Sequence, residues 1–335
     1  MAVTLKEVAL AGGVSPATVS RALSDNPAIS HKTRERIKQI AEELHYIPNM
    51  HARGLITKKT NVLGIVITRT AEFAFSNPFY GEILKGMGRK AREKGLYLLF
   101  SFDRQDYSSM FRLGLVQGII VLGNRTDDPE IQHCWQKKIP MVLIPGYRGM
   151  QAIPSVGADS ERAAILSVEY LEKLGHRNIA ILNGLPTSRF SLDYFAGYRK
   201  AFALKHLPLR KKWVGETDFT KESAYRIMLQ ILSLPEKPTA VLAVSDYTAL
   251  GALRAAQEMG YRVPQELSII GRGDVPFASM TEPPLTTVRV LYDRIGEEAI
   301  NMIVNISDGK LTSKKKHVLL PVELVLRQST GPPLA

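Results

Sequence analysis

The sequence predicts an all-α headpiece of short capped helices followed by an α/β body of parallel-sheet βα units divided between two lobes. Three observations predict it. Residues 1–47 hold three amphipathic stretches of helical period, each with its own start signal. From Asn61 the pattern changes to short apolar runs alternating with amphipathic helices, the mark of βα units. Seven or more such units exceed one sheet of ordinary size, so 155–159 reads as a crossing between two lobes.

The first helix starts at Thr4, which stands at capping-box spacing from Glu7, with Leu5, Val8 and Ala9 on one face. Gly12-Gly13 breaks it. Ser15-Pro16 restarts the chain with a capping hydroxyl and a proline at the first helical position, where its missing N–H is harmless. Two short helices joined by a glycine-bearing turn form a helix-turn-helix pattern. The second helix keeps Val19, Ala22 and Leu23 for its buried side and turns Ala17, Thr18, Ser20 and Arg21 outward. Small residues there allow close approach to a major groove, hydroxyls can reach phosphates, and arginine has the fork that matches guanine O6 and N7. The competing reading is a small helical domain with no DNA role. A third helix begins at the Ser30 cap, carries Ile37, Ile40, Ala41 and Leu44 at helical spacing, and stops before Pro48.

Residues 49–56 span only about two turns, below the roughly 12 to 15 residues at which an isolated helix is even marginal, so the segment should be disordered when free. In the body, strands are expected at 62–67, 97–101, 118–122, 141–144, 179–182, 240–244 and 267–270, with helices such as 80–94, 160–174, 193–205 and 246–259 between them.

Composition fits a small head on a large body. Of 335 residues, 45% are hydrophobic and 23% charged, enough chain for more than one core. No apolar run approaches a membrane span, and a capped helix from residue 4 leaves no place for a signal peptide, so a cytoplasmic protein is expected. Cys134 is alone, which excludes an intrachain disulfide and a cysteine metal cluster. The net charge of +12 favours a polyanionic partner, but residues 1–60 hold nine Lys or Arg against five acids, so most of the excess lies in the body. Arg210-Lys211-Lys212 and Lys314-Lys315-Lys316 read as solvated turns rather than a second nucleic-acid site. There is no Gly-x-Gly-x-x-Gly after a strand, no phosphate loop, no Gly-x-Ser-x-Gly and no metal-spaced histidine set, which argues against an enzyme; no cofactor and no metal are expected.

Residues 3–9, 13–21, 33–37 and 44–49 together resemble the headpiece of the lactose-repressor (LacI/GalR) family, and the resemblance continues to about residue 327. It implies that Pro16, Ala17 and Arg21 read the major groove, and that 49–56 is a hinge helix that folds on DNA, pairs with its twin and pushes Leu55 into the central minor-groove step, kinking it. Expected DNA contacts are Thr4, Ser15, Pro16, Ala17, Thr18, Ser20, Arg21, Asn26, Thr33, Tyr46, Asn49, His51, Ala52, Arg53 and Leu55. The implied body has two doubly wound parallel-sheet lobes like those of periplasmic sugar-binding proteins, joined by three crossings, the second at 286–289 and the third near 318–320. The division is a headpiece at 1–47, hinge and linker at 48–60, one lobe at 61–158 with about 289–317, and the other at 159–288 with about 318–330. Expected partners are double-stranded operator DNA, a small-molecule effector and a second copy of the chain, with no membrane and, lacking a terminal leucine heptad, no coiled-coil tetramer.

Ligands of open α/β sheets bind beyond the carboxyl ends of the strands. The candidates there are Phe73, Phe75, Asn77, Phe79, Asn124 and Tyr147 on one lobe and Arg189, Tyr194, Phe219, Ser245, Arg272 and Asp274 on the other, while Asp246 reads as a helix N-cap. Four positions depart from the family's effector anchors: Pro145, Tyr194, Ser245 and Gly273. Phe219 falls where the family stacks an aromatic ring, and Asn77-Pro78-Phe79 also matches. The departures leave open a different molecule, anchoring by Arg189, Arg272 or Asp274, or loss of small-molecule control. The stretch 68–76 is longer than usual and resembles that of maltose and α-glucoside regulators, which points to an oligosaccharide or glycoside and a carbohydrate-utilisation operon. A protein partner or a non-sugar metabolite is the alternative.

Overall fold

The computed structural model describes residues 3–46, 60–102, 106–123, 125–126, 128–146, 152–311 and 316–334. The head consists of α1 (Leu5–Gly12), α2 (Pro16–Leu23) and α3 (His31–Glu43). Thr4 and Glu7 form the expected capping box, the Glu7 carboxylate accepting the Thr4 N–H at 2.6 Å. Ser15 and Ser30 accept the N–H groups of Thr18 and Thr33 at 3.1 and 3.2 Å, which starts α2 and α3. Val8, Val19, Ala22, Ile37 and Ala41 close a small core of their own.

The body is two six-stranded sheets. The chain first lays down β1 (Val62–Ile67), α4 (Ala71–Ser76), α5 (Pro78–Glu93), β2 (Tyr97–Phe102), α6 (Ser108–Arg112), β3 (Ile119–Leu122), α7 (Pro129–Gln136), β4 (Met141–Ile144) and β5 (Ser155–Ala158). It then crosses into the second lobe with α8 (Ser160–Lys173), β6 (Ile179–Asn183), α9 (Arg189–Leu204), β7 (Val214–Glu216), α10 (Lys221–Leu232), β8 (Ala240–Ala243), α11 (Asp246–Glu258), β9 (Ser268–Gly273) and β10 (Thr286–Val290). It returns for α12 (Tyr292–Ser307) and β11 (His317–Leu320) and crosses last into β12 (Val322–Val325). The strand orders are β11-β5-β4-β3-β1-β2 and β12-β10-β9-β8-β6-β7. β1, β3, β4 and β8 are apolar and almost wholly buried, as strands covered by helices on both faces must be.

Two expectations shift. Residues 318–320 belong to the first sheet, because β11 pairs in parallel with β5, so the chain changes lobe at Pro321. Likewise β10 runs to Val290 inside the second sheet, so the crossing follows Val290 rather than preceding Arg289. The second sheet is also not purely parallel: β12 lies antiparallel to β10. The connectivity requires it, since β10 runs toward the first lobe as the chain leaves and β12 runs away from it as the chain enters.

Helix α12 is held close to α5. A Cβ on Gly86 would lie 1.8 Å from the Asp293 carbonyl oxygen, and one on Gly296 would lie 2.2 Å from that of Ile83, so only glycine permits this approach. The contact fixes Tyr292, the first residue of α12, at the mouth between the lobes. Among the described residues no helix is long and apolar enough to cross a membrane.

Candidate functional site

Helix α2 turns one side of the head outward. Pro16, Ala17 and Arg21 are exposed on α2, with Thr18 and Ser20 half-buried beside them. The Arg21 guanidinium has no hydrogen-bond or ion-pair partner among the described residues, whereas Lys38 nearby is paired with Asp25 at 2.7 Å. Thr4, Ser15 and Thr33 spend their hydroxyls on caps, and Asn26 accepts the Ala28 N–H at 2.9 Å in the turn after α2. Tyr46 packs on the head core. Asn49, His51, Ala52, Arg53 and Leu55 lie outside the described residues.

In the body, a cavity of about 80 Å³ lies between the lobes at the carboxyl ends of the strands. That is room for roughly half a dozen waters at about 10–15 Å³ each. The first lobe supplies Arg69, Phe73, Asn77, Phe79, Tyr80 and Tyr292; the second supplies Ser160, Ser188, Phe190, Phe219, Ser245 and Arg272. At one edge the lobes touch directly, Thr126 N–H donating to the Thr187 carbonyl at 2.8 Å.

Each wall residue is set by a local device. Asn77 caps α5 by accepting the Phe79 N–H at 3.1 Å, which turns Phe79 inward against Tyr80 and Tyr292 with ring centroids 4.9 and 5.2 Å apart. Phe219 has φ 71, a left-handed conformation that is a true outlier for a bulky residue. Its ring lies over Gly184, where a Cβ would come within 2.1 Å, and stacks on Phe190 at 6.1 Å. Strain of this kind persists only where surroundings enforce it and concentrates at ligand sites. Burial pushes the phenols of Tyr80 and Tyr292 up to about 12, so both face the cavity as neutral donors.

Arg272 sits at the end of β9, 3% exposed. Its guanidinium lies 4.1 Å from the Phe190 ring centroid and donates to Ser160 at 3.2 Å and to Tyr292 at 3.5 Å. Nε is buried with no partner. Burial works to lower its pKa, but a guanidinium stays charged in proteins.

Residues 4–49 match the model for bacterial regulatory proteins of the lacI family, and residues 168–330 match a periplasmic binding protein-like domain. Catabolite control protein A of Priestia megaterium is 33% identical over 98% of this chain and 100% of its own length. The chain belongs to the lacI family. Its relatives include the HTH-type transcriptional repressor CytR of Escherichia coli (strain K12), 31% identical over 98% of this chain and 96% of the relative. Among solved structures, a lac repressor dimer bound to operator and the anti-inducer ONPF aligns with TM-score 0.85 at 29% identity, over 99% of this chain and 100% of that one. A transcriptional regulator CelR–cellobiose complex aligns with TM-score 0.75 at 28% identity, over 98% and 99%. This lacI-family protein is therefore a DNA-binding transcriptional regulator and not an enzyme.

Within the lacI-family body, six of the residues singled out from sequence meet at the cavity: Phe73, Asn77, Phe79, Phe219, Ser245 and Arg272. Four do not. Phe75 is 77% exposed on the outer side of α4 against Phe102. Arg189 pairs with Asp193 one helical turn on and lines a separate open groove beyond the crossing strands. Tyr194 lies fully buried behind Phe190 and donates to the Ala243 carbonyl at 3.3 Å. Asp274 is held by Arg289 at 2.7 Å and Arg327 at 2.5 Å, turned away from the cavity. Asn124 and Tyr147 lie outside the described residues. The N-cap of α11 is Ser245, not Asp246; Asp246 is the first helical residue, and its oxygens accept from Val275 N–H at 3.0 Å and the Thr287 hydroxyl at 2.5 Å.

Arg69, Phe190 and Tyr292 escaped the sequence reading. Arg69 stands two residues past β1 and satisfies the strand-end rule that found its neighbours. Tyr292 follows a crossing, a position the rule does not cover, and Phe190 hides in the first turn of a helix expected to start later, at 193.

Proposed function

We propose that this lacI-family regulator represses carbohydrate-utilisation genes, binding a pseudo-palindromic operator as a cytoplasmic homodimer under control of a small molecule in the inter-lobe cavity. The observation that carries the reading is the cavity: a small chamber at the strand ends whose aromatic and polar walls come from both lobes. A ligand touching both walls favours one lobe geometry over another, and its effect on operator affinity is limited by its differential affinity for the two.

On DNA, Pro16, Ala17 and Arg21 enter the major groove of a half-site while Thr18 and Ser20 approach its backbone. Thr4, Ser15, Asn26, Thr33 and Tyr46 hold the head in register, and Asn49, His51, Ala52, Arg53 and the Leu55 wedge serve the centre. The homodimer is supported by an apolar surface at the edge of the first sheet, where Phe100 and Phe75, 42% and 77% exposed, are joined through the Phe102 ring. A sugar-like effector is supported by aromatic walls able to stack on a sugar ring, and by likeness to a regulator whose structure holds cellobiose. The cavity volume fits a body of monosaccharide size, so the oligosaccharide expected from the 68–76 loop would need the lobes further apart.

A gel-shift and footprint on DNA upstream of the chain's own gene tests the reading. Protection of one short palindrome, with affinity altered by the ligand that binds the body, is the expected result. Uniform binding to unrelated duplexes would overturn it.

A further inference from the structure

The cavity described above holds two arginines and no acid among its described lining residues. Proteins bury a cation only when something offsets its lost hydration, normally a carboxylate at hydrogen-bond distance. Arg272 has none. Its contacts are a phenol, a serine hydroxyl and the face of Phe190, and Nε, fully withdrawn from solvent, donates to nothing. Two carboxylates stand nearby in the fold, but both are spent. Asp246 is taken up by Val275 N–H and Thr287, and Asp274 by Arg289 and Arg327.

On the opposite lobe, Arg69 extends its guanidinium over Phe73 at 5.3 Å and Phe219 at 5.9 Å, again with no carboxylate partner among the described residues. Two positive groups thus face one small chamber whose remaining polar groups are largely neutral hydroxyls. A neutral sugar would leave Arg272 as uncompensated as it is now. An oxyanion would complete it, because the planar guanidinium matches the two oxygens of a carboxylate or phosphate.

We propose that the effector is an anion of monosaccharide size, a sugar acid or sugar phosphate, whose oxyanion is held by Arg272 with Arg69 on the facing wall. This rests on reading the cavity as the effector site. Arg272 bonds across the lobe boundary to Tyr292, so the anion also bears on the contact that couples one lobe to the other.

Calorimetric titration of the full chain with glucose, glucuronate, glucose 6-phosphate and inorganic phosphate tests it. At least one anion should bind tenfold or more tightly than glucose, and Arg272→Met should remove that advantage. Glucuronate against glucose 6-phosphate separates a carboxylate from a phosphate requirement, and binding of inorganic phosphate alone would show that the oxyanion suffices. Without ligand, the melting temperature of Arg272→Met should stay level or rise, since an uncompensated buried charge is gone. If that variant fails to fold, Arg272 is structural and the proposal falls. Arg69→Met, on the less buried wall, gives an independent reading and should lower anion affinity several-fold while glucose is unaffected. The proposal is overturned if no anion outbinds glucose, or if the preference survives both substitutions. The two readings fail separately. Should glucose bind through Phe219 and alter operator affinity with no anion preference, the cavity remains the effector site and the anion does not. Should an anion bind through Arg272 without changing operator affinity, the anion site stands and the regulatory reading falls.

Discussion

Asp246, 1% exposed in the first turn of α11, has its carboxyl pushed up to about 6 by burial, against which the Thr287 and Val275 donors pull the other way. The unfolded chain titrates near 3.9. Between those values the native state keeps a proton that the unfolded state has lost, so this residue's contribution falls as pH rises from about 4 to about 6 and stays lost above. A difference of this size is of the order of 3 kcal/mol. Asp246→Asn should flatten that part of the stability profile, as urea unfolding at the two ends of the window would show; a parallel profile would mean that Asp246 titrates normally. Arg21 makes the second residue-scale prediction. Arg21→Ala should cost roughly 1–3 kcal/mol per lost bidentate base contact and relax preference at one base pair. Operator selection at fixed salt checks it, and parental affinity would place recognition elsewhere. That Arg21 faces outward on α2 was legible because the apolar spacing of a short helix decides which of its sides is buried. The isolation of Arg272 was not, since it depends on where the Asp246 and Asp274 oxygens point in three dimensions.

Elements were most legible where covalent rules or burial fix them. The caps at Thr4, Ser15 and Ser30 need only residues three apart, and β1 and β4 span 62–67 and 141–144 as their apolar runs predict. Strands lying at sheet edges or carrying the crossings were harder to read. β7 is three residues long with a glycine at its centre, and β12 takes its antiparallel direction from the order of crossings, which no local pattern encodes. The hinge prediction belongs to this scale. In the hinge proposed for 49–56, which lies outside the described residues, Gly54 has a helix propensity up to about 1 kcal/mol below alanine, so DNA contacts would have to supply the difference. Leu55→Ala should therefore leave effector binding unchanged while weakening specific operator binding and reducing the bend. Circular-permutation gel shifts measure the bend, and an unchanged angle would remove Leu55 from the wedge role.

At the scale of the whole molecule, the two-lobe division could be read from the number of βα units, while a surface on which copies could pair is recognised only on the folded chain. β2 is the outermost strand of the first sheet, and on one of its faces Phe100 stacks on Phe102, which in turn meets Phe75 of α4, while Tyr97 and Leu99 are exposed on the other face. An exposed strand edge with a contiguous apolar patch invites pairing with another chain unless it is covered. A second copy covers it in the dimer proposed here, and the two heads then share one operator. Linking them makes the second half-site encounter intramolecular, which can raise affinity by about 10²–10⁴ over a single head. Phe100→Lys places a charge in the middle of that surface, where it touches neither the cavity nor the head. Sedimentation should then report a monomer at concentrations where the parent is a dimer. Affinity for the full operator should fall by at least the lower end of that range, while binding of the effector to the body changes little. A Phe100→Lys chain that still sediments as a dimer with full operator affinity would move the interface to another face of the molecule.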